Sequence, residues 1–226
     1  MDTATGVLAV AVAVDEEVLR ETATGPGEDG RPRHSALLLR EVEACVERAG
    51  GWRRIDRIAV GIGPGSFTGL RIGISTARAL AQARSLSLAP VGTLAALAAG
   101  IREGAGDTAA QALPVLDARR GQVFAALHGP DGEELWEPAV LAPGDLAARV
   151  MQLGEGPLAA GDGSLRFAAA RAAAGALVAP PDDAAHRVAA RHVCALGEAA
   201  EASPPELVGP TYLRPPDADK WLERDD

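Results

Sequence analysis

Three groups of residues in this chain have types and spacings that could do chemistry. The first is GIGPGSFTGLRIG, Gly61 to Gly73, which holds five glycines and a proline and runs straight into the apolar ISTARALAQA. A glycine-rich turn opening a helix can cradle a phosphate, because the first amides of a helix are unpaired and the helix dipole favours an anion there. Gly63, Gly65 and Ser66 are the candidate anion contacts on that reading. The spacing matches neither known nucleotide loop: no lysine follows as GxxxxGK[ST] requires, and GxGxxG is not formed. The other reading is a tight strand-to-helix turn that needs positive φ at glycine.

The second group is the histidines. His34, His128, His186 and His192 are scattered, without HxxxH or HExxH spacing, so no metal site is expected and each reads as a surface or capping residue. The third is nucleophilic. Ser66 follows a glycine, but GPGSF is not the GxSxG elbow, and no Ser, His, Asp set is recognisable. One charged turn stands apart: Asp117, Arg119 and Arg120 in LDARRG either face a nucleotide or partner between two lobes or form an ordinary hairpin with internal ion pairs.

These residues need elements to hold them. GVLAVAVAV suits a buried strand, ETATGPGEDGRPR a loop, and HSALLLREVEACVERAGG a helix with Ser35 as N-cap and Gly50 as its stop. IDRIAVGIG then enters the glycine-rich turn as a strand, and a helix leaves it near Phe67, a unit of an α/β fold. APVGTLAALAAGI repeats the strand-helix pattern, and LPVLDARRGQVFAALHG reads as strand, polar turn and returning strand. The pattern resets near residue 105, which predicts lobes at 1–105 and 106–226. RFAAARAAAGALVA and AAHRVAARHVCALGEAA are predicted as helices of the second lobe.

The helix after the turn is unusually apolar. Thr68, Arg71, Ser75, Arg78 and Gln82 share one arc of about 80°, and nearly all the rest is apolar or small, as expected of a helix covered on two sides. Gly69, Gly73 and Ala77 recur every four residues, a smooth ridge that lets another helix approach closely. The preceding helix places Leu38, Val42, Cys45, Val46 and Ala49 on one face and Leu37 and Ala44 on another. Surplus apolar surface on both helices points to a partner chain; a helix sandwiched within a single fold explains it equally.

Composition sets the remaining bounds. With 226 residues, 47% of them hydrophobic, a sizeable core can form. A net charge of -9 argues against a free-standing nucleic-acid binder. Residues 31 to 84 nevertheless carry ten arginines against four acids, a local basic surface. Cys45 and Cys194 form no metal or disulfide pattern. The apolar start lacks a basic region ahead of it, and no apolar run nears the roughly 18 residues of a membrane span, so a cytoplasmic protein is expected.

GIGPGSFTGLRIGISTARALA also resembles the signature of the TsaB family, also called YeaZ. DTAT, HSALLL, VLDARRGQVFAAL, GDG at Gly161 to Gly163 and PTYLR at Pro210 to Arg214 resemble its other motifs, in family order and over most of the chain. The resemblance implies an actin-like, Hsp70-like and sugar-kinase-like (ASKHA) α/β fold with two ribonuclease-H-like lobes and central mixed sheets. It implies a non-catalytic scaffold in the bacterial complex that places threonylcarbamoyl on N6 of adenosine 37 in tRNAs reading ANN codons. Its expected partners are the catalytic paralogue TsaD and the ATPase TsaE, with a homodimer in isolation and tRNA met only through the complex. No cofactor is expected beyond ATP or ADP at the joint interface, and neither a metal nor a membrane.

On the same grounds the expected docking residues are Leu38, Val42, Cys45, Phe67, Gly69, Leu70, Arg71, Gly73, Ile74, Ala77 and Arg78. Asp2 and its neighbour Thr3 match the acid that lies at the phosphate and metal site in ATP-using relatives; standing almost at the chain start, Asp2 departs from the family pattern. The alternatives are an ATP-dependent kinase or phosphotransferase of the same fold class and, further off, a peptidase.

Overall fold

The computed structural model describes residues 1–106, 110–168 and 174–214. The tail residues Pro215, Pro216, Trp221 and Leu222 and the middle of the expected alanine-rich helix, 169–173, lie outside these.

The first sheet is built around the chain start. β1 (Leu8–Val14) runs antiparallel to β2 (Glu17–Thr24), while β3 (Arg57–Gly63) runs parallel to β4 (Ser87–Gly92). Between these pairs lie Met1 and Asp2. Asp2 and Ala9 exchange both backbone hydrogen bonds, at 2.8 and 3.0 Å, the Met1 amino group donates to Ala59 O at 2.8 Å, and Gly61 N donates to Met1 O at 2.9 Å. The order is therefore β2, β1, Met1–Asp2, β3, β4.

Side-chain alternation sorts the two faces. Leu8, Val10 and Val12 of β1 and Ile58 and Val60 of β3 share a core with α1 (His34–Arg48) and α2 (Phe67–Arg84). Ala59, one residue out of phase, faces α6 (Ala190–Ala199), where an added Cβ on Gly197 would overlap the Ala59 methyl. The helix expected in the second lobe thus packs on the first sheet.

The second sheet has the order β7 (Glu134–Leu141), β6 (Gln122–His128), β5 (Ala112–Arg119), β8 (Leu158–Ala160), β9 (Leu177–Val178). It is mixed: β5, β6 and β7 pair antiparallel, while β8 and β9 join parallel. β5 and β6 meet at Arg120 and Gly121, both with positive φ (53° and 74°), as a two-residue hairpin demands. α3 (Thr93–Ala105) connects the sheets and packs on β5, and α4 (Pro143–Met151) seats Leu146 and Val150 in the second lobe's outer core. Leu177–Val178, at the end of the alanine-rich stretch expected as a helix, form the short strand β9, and α5 is Asp162–Arg166. Ser35 is not the cap of α1: Arg33 holds that position and makes no side-chain cap bond.

The glycines of the central motif are fixed by close approach. A Cβ on Gly61 would overlap the Asp2 carboxylate, one on Gly65 the Ala4 carbonyl, one on Gly69 the Thr3 carbonyl, and one on Gly73 the Thr3 hydroxyl. At Gly63, where φ is 112°, a Cβ would lie 2.8 Å from Thr211 O. So the ridge of Gly69 and Gly73, expected to meet another helix, meets Thr3 of its own chain. Thr3 Oγ1 donates to Gly69 O at 2.8 Å and Ser66 N donates to Ala4 O at 2.7 Å, which pins α2 against the sheet's central segment.

Gly73→Ala is expected to cost about 1–3 kcal/mol by overpacking against Thr3. Thr3→Ala removes the clashing hydroxyl, so the double variant should recover part of that loss. Urea midpoints of the four proteins in the cycle measure the coupling; strictly additive losses would contradict the contact.

Candidate functional site

A cleft of about 470 Å³ opens between the two sheets. Its first-lobe wall is Ala4 to Gly6 and Pro64 to Thr68, the mouth of α2; its second-lobe wall includes Leu116 to Arg119, Phe124 and Asp162; Thr211 to Arg214 close one side. The turn brings Gly65 and Ser66 opposite Asp117 and Arg119.

At the α2 mouth Ser66 is the N-cap: its hydroxyl accepts from Gly69 N at 3.3 Å. That leaves the amides of Phe67 and Thr68, in the helix's first turn, directed as an anion site would require. The facing wall is already neutralised. The Asp117 carboxylate accepts from Arg166 Nη1 at 2.7 Å, Arg119 Nη1 at 3.4 Å and Arg119 N at 2.9 Å, while Asp117 N donates to Asp162 Oδ1 at 2.8 Å. The hairpin reading with internal ion pairing describes Asp117 and Arg119; Asp162 and Arg166 were missed, although the GDG motif pointed at their neighbourhood.

GDG itself is a packing device. A Cβ on Gly163 would stand 2.6 Å from the Leu116 carbonyl carbon, and Gly161, with φ of 111°, abuts Val115 O. Gly161 N donates to His186 Nδ1 at 3.0 Å, and His186 Nε2 in turn donates to Pro180 O at 2.9 Å. Ser164 Oγ donates to Gly161 O at 2.7 Å.

PTYLR straps the cleft. Thr211 N donates to Ile62 O at 2.7 Å, and Arg214 Nη1 donates to Gln122 Oε1 at 3.2 Å, which links the two sheets. Tyr212 stacks on Phe67 with centroids 5.2 Å apart, and the Arg71 guanidinium lies 3.9 Å over the Phe67 ring. Arg71 Nε also donates to the Tyr212 hydroxyl at 3.2 Å.

Several expected site residues lie elsewhere. Asp2, Thr3 and Gly63 are buried beneath the cleft floor and do not line it. Asp2 is internally satisfied: Ala4 N donates to it at 2.9 Å and Thr93 Oγ1 at 3.2 Å. Leu38, Val42, Cys45, Leu70, Ile74 and Ala77 belong to the first lobe's own core, because α1 and α2 spend their apolar arcs on the sheet. Of the expected docking set, Phe67 and Arg71 are exposed and Arg78 is half-buried. The large apolar side chain standing out on α1 is Leu39, 61% exposed, which the helical pattern did not single out.

The histidines also differ from expectation: His34, His128 and His186 are buried. His34 Nε2 bonds to Thr5 O at 2.8 Å, and burial pushes the His128 imidazole below its usual pKa. Among the described residues no three His, Cys, Asp or Glu side chains converge as metal ligands, and no described cleft-lining residue is histidine or cysteine.

Two mixed-sheet lobes closed over a cleft define the actin-like, Hsp70-like and sugar-kinase-like class. The family model described as TsaD, tRNA N6-adenosine threonylcarbamoyltransferase, matches residues 26–203. The tRNA threonylcarbamoyladenosine biosynthesis protein TsaB of Escherichia coli K12 is 35% identical over 158 residues, 68% of this chain and 65% of that protein. TsaB of Bacillus subtilis is 31% identical over 57% of this chain and 53% of its own length. The chain thus matches somewhat under two thirds of the length of these relatives. The solved structure of YeaZ from Pseudomonas aeruginosa superposes with a TM-score of 0.74 at 26% identity, over 94% of this chain and 97% of that one. The chain belongs to the TsaB (YeaZ) family, within the wider family that the TsaD model describes.

Burial raises the Asp2 carboxyl above its usual pKa, opposed by the Ala4 amide, the Met1 ammonium and the Thr93 hydroxyl. The folded protein therefore holds this proton more tightly than the unfolded chain, and stability is lost as pH rises from about 3.9 through the raised value. Asp2→Asn keeps the shape without titrating, so the melting temperature of the variant minus that of the parent should grow more positive from pH 4 to pH 7. A difference that shrinks would contradict the burial of a raised carboxyl.

Proposed function

We propose that this protein is the non-catalytic docking subunit of the bacterial complex that transfers threonylcarbamoyl to N6 of adenosine 37 in tRNAs reading ANN codons, and that it works by binding the catalytic subunit TsaD. The observation that carries the reading is the outer face of α1 and α2. Both helices cover the same side of the first sheet and touch each other. Their outward surfaces present Ala36, Leu39 and Arg40 on α1 and Phe67, Arg71, Ser75 and Ala79 on α2, with Ile72 half-buried between. Small residues at Ser75 and Ala79 let a second helix pair approach closely, and Leu39 gives it an apolar anchor.

Family membership supports the pathway, and the cleft supports the non-catalytic role. On the wall opposite the α2 amides Asp117 is already paired with Arg119 and Arg166, and Asp162 accepts from the Asp117 amide. On this reading lobes 1–105 and 106–226 move as the scaffold of the assembly, ATP or ADP binds only where the cleft is completed by partners, TsaE joins as the ATPase, and tRNA is met through the complex. In isolation the same helical face pairs two copies of the chain.

Leu39→Asp should leave the melting temperature nearly unchanged, since the side chain is exposed, and weaken binding to TsaD about tenfold or more through loss of a buried leucine at the contact. Isothermal titration of the variant against TsaD measures this; unchanged affinity for Leu39→Asp and for Ala79→Glu would move the docking face elsewhere.

A further inference from the structure

Four consecutive residues of the strap reach three different parts of the molecule. The Thr211 amide holds Ile62 O, near the end of β3, at 2.7 Å. Tyr212 stacks on Phe67 of α2, with centroids 5.2 Å apart and planes inclined by 29°. Leu213, beside it, packs against the core that contains Leu116 and Phe124, and Arg214 donates to Gln122 Oε1 on β6 at 3.2 Å. Tyr212 to Arg214 also line the cleft between the lobes. Three residues reach at most about 11 Å, so the hold at Tyr212 is not given up without slackening the hold at Arg214.

The Tyr212 hold falls on the outward row of α2. Phe67, Arg71, Ser75 and Ala79 recur every four residues and are all exposed, the row that a second helix covers when it packs here. Two of the four are already engaged. The Arg71 guanidinium lies 3.9 Å over the Phe67 ring, and Arg71 Nε donates to the Tyr212 hydroxyl at 3.2 Å. All three side chains are exposed, and contacts of this kind at exposed sites are individually weak. A helix laid along the whole row needs Phe67 and Arg71, the two residues that Tyr212 occupies.

We propose that Tyr212 competes with the docking partner for the end of this row, and that the strap thereby couples docking to the cleft; the inference rests on the docking reading above. A partner helix seated over Phe67 and Arg71 takes their exposed surfaces from Tyr212. The strap, released there, loosens its bond to Gln122, and that side of the cleft opens while Thr211 stays on β3. The free chain thus keeps the cleft strapped, and the docked chain presents it open. Coupling of this kind is reciprocal, so a change that loosens the strap at its cleft end strengthens docking. Gln122 lies on the second sheet, outside α1 and α2, and acts on docking through the strap. A strap that only braces the lobes gives no such effect, and a Tyr212 that forms part of the docking surface gives the opposite sign.

Isothermal titration with TsaD compares the full chain with Gln122→Ala, Tyr212→Phe, Tyr212→Ala and Leu39→Asp. Gln122→Ala is expected to tighten binding about twofold or more, the size of one lost hydrogen bond, and Tyr212→Ala about fivefold, the size of one released ring stack, with Tyr212→Phe between them. Unchanged or weaker binding of either the Gln122→Ala or the Tyr212→Ala chain would overturn the proposal. Leu39→Asp reports on the docking face by itself: binding equal to the parent's sinks the docking reading, and the strap then stands or falls by a readout that needs no partner. Tyr212 is the only tyrosine of the chain, so 3-fluorotyrosine labelling gives a single fluorine resonance. Gln122→Ala is expected to move that resonance towards its position in Phe67→Ala, and bound TsaD to move it the same way. A resonance that Gln122→Ala leaves in place contradicts the coupling whatever TsaD does.

Discussion

The first lobe depends on one close contact, the passage of residues 2 to 4 beneath the motif Gly61 to Gly73. An extended segment lies so near β3, the turn and the first two turns of α2 that no side chain fits between, and the hydroxyl of Thr3 and the carbonyl of Ala4 convert that proximity into hydrogen bonds. A glycine inside a helix costs about 1 kcal/mol against alanine, and α2 carries two. The cost is offset because the helix axis settles onto the sheet's central segment and Leu70, Ile74 and Ala77 are carried into full burial.

From that contact the rest of the site follows. Fixing α2 fixes its mouth, and the mouth is one wall of the cleft. It also fixes which side of the helix is left over: with the glycine and leucine faces spent on the sheet, the remaining surface of Arg71, Ser75 and Ala79 lies outward beside Leu39 of α1. The strap Thr211 to Arg214 is bound by the same logic, since Gly63 leaves room for Thr211 where any side chain would intrude. Thus the cleft and the outer helical face are two products of one packing arrangement.

Much of this was legible in the sequence, in a recognisable order. Strand, glycine turn and helix were readable from local signals; the polar turn expected at Asp117 to Gly121 is shorter, because β5 runs on to Arg119 and only Arg120 and Gly121 make the bend. β2 was lost because EVLRETAT is a half-exposed edge strand whose polar residues resemble a loop. The reason for Gly69 and Gly73 was not legible: spacing shows that something comes close, but whether it is a partner helix or a segment some 70 residues earlier is decided only by the sheet order. For the same reason Leu38, Val42 and Cys45 looked available when they were core, and Leu39 was overlooked. The placement of α6 on the first sheet likewise depends on Gly197 meeting Ala59, a pairing far apart in the chain.

The central claim is that this chain enables tRNA modification by holding a catalytic partner and does no chemistry itself. Reconstitution with TsaD, TsaE, ATP, threonine-derived substrate and an ANN-reading tRNA, with this chain present or omitted, tests it most directly. Modification of adenosine 37 that collapses on omission, and returns when the chain is added with the Asp117 and Ser66 side chains removed, is the expected result. Full modification without the chain, or loss of it on removing those cleft side chains from a protein that still binds TsaD, would contradict it.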